Sequence, residues 1–188
     1  MPGYLGALAI VLLLAMVLSR VVLLKRQGVT AVKFGEIDKT DFSVPPVMLF
    51  YFYLVFAAAF GWPSVGLRRL FHSAPLEWFG VAACAAGLVL LLWSLVSFKQ
   101  SFRIGIDKDC PDTLITSGVF ALSRNPIYVA FAFVLIGECL IFPNWIFLAY
   151  IAGFLALVHR QTLREEDYLK AHYGQQYVDY CNRVRRYL

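Results

Sequence analysis

Long apolar runs constrain this chain more than any other feature, because several of them are long enough to cross a bilayer as helices. Crossing about 30 Å of hydrocarbon takes roughly 20 helical residues. Of the 188 residues, 60% are hydrophobic and 15% are charged, a more apolar composition than soluble domains have. One small core cannot bury so many apolar side chains, so lipid must cover many of them. The sequence therefore predicts an all-α integral membrane protein with a single domain, residues 1–188.

The lengths and interruptions of these runs predict five membrane segments. The last apolar block, residues 127–158, is too long for one ordinary span and is interrupted at Pro143 and Asn144, which favour a turn. We therefore predict a C-terminal helical hairpin, followed by a cytoplasmic amphipathic helix. The N-terminal run lacks the basic region and cleavage site of a signal peptide, so we expect a retained first span. The five predicted spans are Tyr4–Leu24, Pro45–Leu67, Leu76–Phe98, Pro126–Phe142 and Trp145–Val158.

The positive charges lie mostly on one side of this topology. Of the 17 Lys and Arg residues, 14 flank the predicted spans on one side, Arg68 and Arg69 lie on the other, and Arg20 lies in the first span. Cytoplasmic segments of membrane proteins carry such an excess. We therefore predict an external N-terminus and a cytoplasmic C-terminus. The basic residues cluster at the ends of apolar runs, which favours contact with anionic lipid headgroups and not with nucleic acid.

The cysteines and histidines form no metal-binding pattern. None of the cysteines forms a CxxC pair, and none of the histidines has HxxxH spacing or a nearby cysteine. Two of the cysteines lie in apolar segments, which is typical of small buried side chains. We therefore predict buried thiols in preference to a disulfide, and no metal site. These residues are Cys84, Cys110, Cys139, Cys181, His72, His159 and His172.

The turn before the fourth span carries the first candidate site. Pro126 disfavours a helical conformation at Asn125 and can itself begin the next helix. Asn125 is therefore a natural N-cap, and the free backbone N–H groups of the first turn could bind a carboxylate or another polar ligand. Tyr128 lies close by. The alternative is a plain capped helix start with Arg124 on a lipid phosphate, and the pattern alone leaves both interpretations open.

A charged segment and an aromatic stripe follow the fifth span. Arg164, Glu165, Glu166 and Asp167 could form a solvated helix face, balanced by neighbouring basic residues. Three adjacent acids fit poorly with anionic lipid, however, so a pocket for a cationic or hydroxyl-bearing ligand is the rival interpretation. The spacing of Tyr173, Tyr177 and Tyr180 predicts an aromatic face on an amphipathic helix, which either packs against the bundle or lines a cleft.

Glu138 lies inside the predicted hairpin. An ionisable side chain at membrane depth is by default functional or paired inside the protein. Since Glu138 is close to the turn at Pro143, its carboxyl could instead reach the far interface. Both interpretations stay open.

Five motifs, taken in order, resemble the isoprenylcysteine carboxyl methyltransferase superfamily in its bacterial branch, which is related to phospholipid N-methyltransferases. Each motif alone is weak, but five in the same order and spacing are specific. The resemblance covers roughly residues 80–188, whereas the first two spans match only by hydropathy. The motifs are SFRIGID at 101–107, TLITSGVF at 113–120, RNPIY at 124–128, REED at 164–167 and YGQQYVDY at 173–180.

The resemblance implies a membrane methyltransferase that uses S-adenosylmethionine and acts on a lipophilic acceptor in a bacterial inner membrane. It implies that residues 1–75 supply two spans and residues 76–188 a core with the cofactor pocket. Arg124 or Arg164 would orient an acceptor carboxylate, and Glu165 would join them at the catalytic centre. The family often has His at position 125, and Asn cannot titrate near neutrality, so a general base is not expected there. The implied cofactor-binding residues are Leu114, Ile115, Gly118, Val119, Asn125, Pro126, Tyr128, Glu165 and Glu166.

The acceptor is not identified by these residues. An isoprenylcysteine-like carboxylate, a lipid amine and a thiol all fit the implied reaction. Two other functions stay open, an NADPH-dependent membrane reductase of the sterol-reductase type and a membrane module without catalytic activity.

Overall fold

The fold is all-helical in the residues that the computed structural model describes, which are 1–26, 44–63, 66, 68–97 and 114–188. The predicted all-α class is confirmed for these residues. A short 3-10 turn, Gly118–Ala121, precedes the fourth helix. The helices are α1 (Pro2–Arg26), α2 (Val44–Phe60), α3 (Ala74–Ser97), α4 (Pro126–Ile141), α5 (Trp145–Tyr173) and α6 (Gln175–Arg183).

Three of these helices, α1, α3 and α5, are long and apolar enough to cross a membrane. The apolar helices α2 and α4 have 17 and 16 residues. At 1.5 Å per residue each is about 25 Å long, somewhat short of a full hydrocarbon core. The five-span count and the C-terminal hairpin therefore stay predictions. The 101–107 motif, Cys110 and the basic residues between α1 and α2 lie outside the described residues.

The predicted end of the second span is wrong. The prediction continues the helix to Leu67, whereas α2 ends at Phe60. Gly61 has φ +69°, a left-handed conformation that stops a helix and that glycine adopts without a steric penalty. Pro63 follows and cannot continue the helical hydrogen bonding. The sequence stays apolar beyond the end of the helix, since Trp62 packs with the aromatic side chains there. The ring centroids of Trp62 and Phe60 are 6.0 Å apart.

The predicted end of the helix that forms the fifth span is also wrong. The prediction stops the helix at Val158 and starts a separate charged helix, but α5 runs without interruption to Tyr173. The change from apolar to charged side chains alters the surroundings of the helix and not its backbone, because Arg, Glu, Leu and Lys are all good helix formers. Gly174 ends α5 and separates Tyr173 from Tyr177 and Tyr180, which lie in α6.

Helices α3 and α4 pack closely through glycines. A Cβ atom on Gly137 of α4 would lie 2.6 Å from the carbonyl oxygen of Gly80 on α3. One on Gly87 would lie 2.7 Å from the carbonyl oxygen of Ala130. Small residues allow membrane helices to approach in this way, which gives close van der Waals packing. Close packing against α3 therefore holds α4 in place.

The side chain of Glu138 is completely buried between α1, α3 and α4. Its exposed fraction is 0%, so the carboxyl does not reach the far interface. The Cys84 thiol lies 4.0 Å from Oε1, and the backbone of Gly6 lies against Oε2 with no room for a Cβ atom. The predicted burial of thiols is confirmed at Cys84 and Cys139.

Candidate functional site

The chain approaches α4 through a turn that is anchored to neighbouring helices. Gly118 has φ +66°, and a Cβ atom there would lie 2.8 Å from Oγ of Ser97 at the end of α3, so glycine suits both the backbone and the space. Val119 and Phe120 are buried in the 3-10 turn, whereas Leu114 and Ile115 are half-buried before it. The Tyr180 hydroxyl donates a hydrogen bond to the carbonyl oxygen of Phe120 at 2.7 Å. This contact holds α6 beneath the turn.

Asn125 and Pro126 start α4 as predicted, but Asn125 does not cap it with its side chain. Asn125 occupies the N-cap position and buried Pro126 begins the helix. The Asn125 amide instead donates to the carbonyl oxygen of Arg186 at 3.0 Å. Its own backbone N–H donates to Oγ of Ser123 at 3.1 Å. The side chain is thus directed to the C-terminal tail, and no cap hydrogen bond to the first turn of α4 forms.

A hydrogen-bonded cluster joins α4 to the polar half of α5. The Tyr128 hydroxyl donates to Oε1 of Glu165 at 2.9 Å. The same oxygen accepts a hydrogen bond from the side-chain amide of Gln161 at 3.0 Å. Glu165 is half-buried, and Tyr128 lies in the first turn of α4. These contacts place a carboxylate of the charged segment beside the start of α4.

The adjacent carboxylate, Glu166, lies between two guanidinium groups. The Arg186 Nε and Nη2 donate to its two oxygens at 2.9 and 2.8 Å, which is bidentate geometry. Nη2 of Arg124 lies 3.1 Å from Oε1 of the same group. Glu166 is only 3% exposed, so these contacts compensate a buried charge. Arg124 also contacts the Cys181 thiol of α6.

The arginines stabilise the charged form of Glu166, which lies beyond the predicted span Trp145–Val158. Burial by itself raises the pKa of this carboxyl, but the hydrogen bond from Arg186 and the positive charges of Arg124, Arg186 and Lys170 lower it below its ordinary value. The same hydrogen bond raises the pKa of Arg186. Glu166 is therefore ionised at neutral pH, and its negative charge binds Arg124 of the turn before α4 and Arg186 near the C-terminus.

The structure brings most of the predicted site residues together, in two connected pairs. Arg124 contacts Glu166, and Tyr128 contacts Glu165. Asn125 and Pro126 lie between these pairs at the start of α4, with Gly118 and Val119 in the preceding turn. Arg164, in contrast, lies on an exposed part of α5, whereas Glu166 is buried. The catalytic and binding roles assigned to all of these residues stay predictions.

Parts of the charged segment and of the aromatic stripe lie inside the protein. Glu165 and Glu166 are not a solvated face, since both carboxylates are held by residues of the bundle, while Asp167 is exposed. Tyr177 and Tyr180 are buried and pack against each other with ring centroids 6.0 Å apart. These two tyrosines therefore pack inside the protein.

Sequence reasoning missed three side chains of the site. Arg186 holds Glu166, Gln161 holds Glu165, and Ser123 accepts from the backbone of Asn125. Gln161 had a usable signal, because it precedes Glu165 by four residues and so lies on the same helix face. Nothing local in the sequence marks Arg186, which follows Glu166 by 20 residues and reaches it only through the turn at Gly174.

Two buried polar atoms at this place have no hydrogen-bond partner within the described part of the chain. They are Nε of Arg124 and Oγ1 of Thr162. Thr162 lies one turn before Glu166 on the same face of α5, so both atoms belong to the region around the Arg124–Glu166 contact. Buried polar groups nearly always have partners. A hydrogen-bond donor and a hydroxyl left without partners fit a polar ligand such as an amino acid carboxylate or a ribose hydroxyl.

Comparison with protein families gives one match over more than half of the chain. Residues 76–176 match the sequence model of the family described as phospholipid methyltransferase. The matched range includes most of α3 and all of α4 and α5, and so contains both the Arg124–Glu166 and the Tyr128–Glu165 contacts. It ends before most of α6 and the C-terminal tail. No solved structure matches the chain significantly.

Two curated proteins are similar to this chain at moderate identity. One is a protein-S-isoprenylcysteine O-methyltransferase of Tribolium castaneum, 30% identical over 136 residues, which are 68% of this chain and 48% of that protein. The other is protein-S-isoprenylcysteine O-methyltransferase B of Arabidopsis thaliana, 29% identical over 109 residues, which are 56% of this chain and 55% of that protein. The aligned segments thus span about half the length of these relatives.

Proposed function

Because the chain belongs to the phospholipid methyltransferase family, we propose that it transfers a methyl group from S-adenosylmethionine to a lipophilic acceptor at a membrane face. The observation that carries this proposal is the hydrogen bond between Tyr128 and Glu165 at 2.9 Å. It joins the start of α4 to the polar half of α5 within the family match, and it places a carboxylate beside a helix N-terminus. Both groups suit a cofactor that carries an amino acid, a ribose and a sulfonium charge.

The cofactor site that we propose lies between the turn before α4 and the polar half of α5. Leu114, Ile115, Gly118 and Val119 would line it with backbone and apolar groups. Asn125, Pro126 and Tyr128 would bind the amino acid end or the adenine, and Glu165 would accept from polar hydrogens. Bound there, S-adenosylmethionine supplies an electrophilic methyl group. The partnerless Nε of Arg124 and Oγ1 of Thr162 support a polar ligand at this position.

Glu166 has a more restricted role in this proposal than its neighbour. Arg124 and Arg186 already occupy its two oxygens. We therefore assign it to holding Arg124 at the edge of the site, while Glu165 contacts the ligand. Arg124 would orient an acceptor carboxylate through the positive charge of its guanidinium group. Arg164, exposed on α5, would act only on an acceptor that approaches from solvent or from the headgroups.

The reaction needs little acid–base chemistry from the protein. A carboxylate acceptor is already ionised near pH 7, and a thiol or an amine needs at most local help with deprotonation. The side chains would align the nucleophile with the methyl carbon and exclude water, which is largely a proximity effect. The absence of a titratable group at Asn125 is compatible with this chemistry.

The acceptor would reach the site from the lipid. Leu148, Leu155 and Leu157 of α5 are exposed within the described chain, so this helix presents an apolar surface to its surroundings. We propose that residues 76–188 form the catalytic core and that residues 1–75 contribute the first two of five spans. The excess of basic residues on one side supports an external N-terminus and a cytoplasmic site. The assignment to a bacterial inner membrane rests on the resemblance to the bacterial branch alone.

Binding calorimetry on the purified full chain in detergent micelles tests the proposal. We expect S-adenosylmethionine and S-adenosylhomocysteine to bind with micromolar affinity and NADPH not to bind. Binding of NADPH alone would favour a reductase. If neither S-adenosylmethionine nor S-adenosylhomocysteine binds, the proposed function is wrong. Binding of both compounds, without methylated product from any isoprenylcysteine carboxylate, isoprenoid thiol, lipid amine or small thiol, would favour a module without catalytic activity.

A further inference from the structure

The C-terminal tail, defined as residues 184–188, lies across the turn that starts α4. The backbone N–H of Arg124 donates to the carbonyl oxygen of Arg185 at 3.0 Å. The next carbonyl oxygen, that of Arg186, accepts from the amide of Asn125 at 3.0 Å and from the Ser123 hydroxyl at 3.5 Å. Two consecutive tail carbonyls therefore satisfy donors on three consecutive residues of the turn.

The side chains of the tail hold α5 at the same time. Arg186 forms the bidentate contact with Glu166 at 2.9 and 2.8 Å. The Tyr187 hydroxyl lies 3.2 Å from Nδ1 of His159, nearer the apolar half of α5. The tail thus binds the α4 turn through its backbone and α5 through its side chains, and Arg186 takes part in both sets of contacts.

We infer that Arg186 is a positioning residue for the methyl-donor site, an inference that rests on the proposed function. Arg186 binds Glu166 of α5 through its side chain and the turn before α4 through its backbone carbonyl, and it thereby fixes the rotation of α5 relative to this turn. Glu165 is the neighbour of Glu166 on this helix. The contact between Arg186 and Glu166 therefore keeps Oε1 of Glu165 at 2.9 Å from the Tyr128 hydroxyl. The tail lies outside the segment matched by the family and yet completes the site.

The chemistry of this grip requires arginine. A guanidinium donates two parallel hydrogen bonds to a carboxylate and fixes its orientation, whereas the ammonium of lysine is a point charge that rotates freely. Nη2 of Arg124 also lies 3.1 Å from Oε1 of Glu166, so both arginines contact this carboxylate. A lysine at position 186 would keep the charge and lose the orientation.

Three variants of the full chain in detergent micelles test this inference, with S-adenosylhomocysteine as the calorimetric probe. Arg186→Gln should raise its Kd about tenfold, which corresponds to about 1.4 kcal/mol. The Kd of Arg186→Lys should lie between that of Arg186→Gln and that of the wild type. Arg185→Gln is the matched control, because it removes an equal charge one residue away, from an exposed side chain, and keeps the backbone contact to Arg124. Its Kd should stay within about twofold of the wild type.

A thermodynamic cycle with Glu166→Gln separates positioning from a general loss of stability. If Arg186 acts through Glu166, Arg186→Gln should change the Kd less than about twofold in the Glu166→Gln background. An effect as large as in the wild-type background would overturn the inference. So would an unchanged Kd for Arg186→Gln, while the proposed function would stand because the wild type binds. If the wild type does not bind, the proposed function fails and this inference fails with it. If Arg186→Gln does not fold, Arg186→Lys decides by the same criterion.

Discussion

Replacing Tyr128 with phenylalanine removes one hydroxyl from the candidate site and changes little else. The ring can keep its place at the start of α4, while Oε1 of Glu165 loses the hydrogen bond at 2.9 Å and keeps the one from Gln161 at 3.0 Å. The Tyr128→Phe variant therefore reports what this single contact contributes to the position of Glu165.

The magnitude follows from the type of contact. A hydrogen bond to a charged group contributes about 1.5–3 kcal/mol in proteins. Glu165 is half-buried and retains Gln161, so water can replace part of the loss and we expect about 1–2 kcal/mol. If the methyl donor needs Glu165 in this position, its Kd should rise about 5- to 30-fold. The midpoint of thermal unfolding in detergent should fall by a few degrees, about 2–4 °C per kcal/mol for a chain of this length.

Tyr53→Phe is the matched control for this experiment. The Tyr53 hydroxyl also donates a hydrogen bond at 2.9 Å, to the carbonyl oxygen of Pro63, but this side chain is exposed and lies on α2 outside the site. Calorimetry with S-adenosylhomocysteine should give a Kd within about twofold of the wild type for this control. An unchanged Kd for Tyr128→Phe, or equal changes in both variants, would refute the assignment of the Tyr128–Glu165 contact to the donor site.

Two further predictions concern the scaffold and its orientation. Gly137→Ala should lower the free energy of unfolding by about 2 kcal/mol or more, because its Cβ would lie 2.6 Å from the backbone of Gly80. Gly153→Ala is the control: a Cβ atom there would have nothing within 4 Å, so this variant should be neutral or slightly stabilising. Equal midpoints of thermal unfolding for the two variants would contradict the packing argument. Arg68→Cys should react with a membrane-impermeant maleimide in intact cells, and Arg183→Cys only after permeabilisation; the reverse pattern would overturn the proposed topology.

The starts of α4 and α5 could be predicted from the sequence because local chemistry determines them. Pro126 begins α4 at the predicted residue, and Trp145 begins α5 after Asn144, whose side chain accepts from the backbone of Ile146. Such capping depends on neighbouring residues alone. The family, too, was predictable, because its motifs are contiguous, and the match over residues 76–176 confirms the resemblance to this superfamily.

The ends of α2 and α5 were not predicted because hydropathy indicates whether a segment lies in lipid or in water, and not where its helical backbone ends. Apolar residues continue past Phe60, but Gly61 ends the helix. Charged residues replace apolar ones after Val158, but no proline or glycine lies between Val158 and Gly174, so α5 continues. A helix can leave the bilayer without ending, so a composition boundary and a helix boundary need not coincide.

The contacts of the tail were beyond sequence reasoning for a different reason. Arg186 reaches Glu166 because Gly174 reverses the chain between α5 and α6 and brings the tail back along α5. The reversed chain is held by Tyr180, which is buried and whose hydroxyl donates a hydrogen bond to Phe120 in the turn before α4. No residue pattern near Arg186 specifies it. The outcome is a candidate site in which sequence-distant groups hold the predicted ones in place.

Methyl transfer itself is the most direct test of the central claim. Membranes containing the full chain would be incubated with S-adenosylmethionine carrying a deuterated methyl group, and the lipid fraction analysed by mass spectrometry together with S-adenosylhomocysteine formation. The account predicts a lipophilic product with the labelled methyl group, formed with an equal amount of S-adenosylhomocysteine and strongly reduced in Glu165→Ala. Labelled product at equal levels in wild type and Glu165→Ala would contradict the proposed site, and no labelled product or S-adenosylhomocysteine above membranes lacking the protein would contradict the proposed activity.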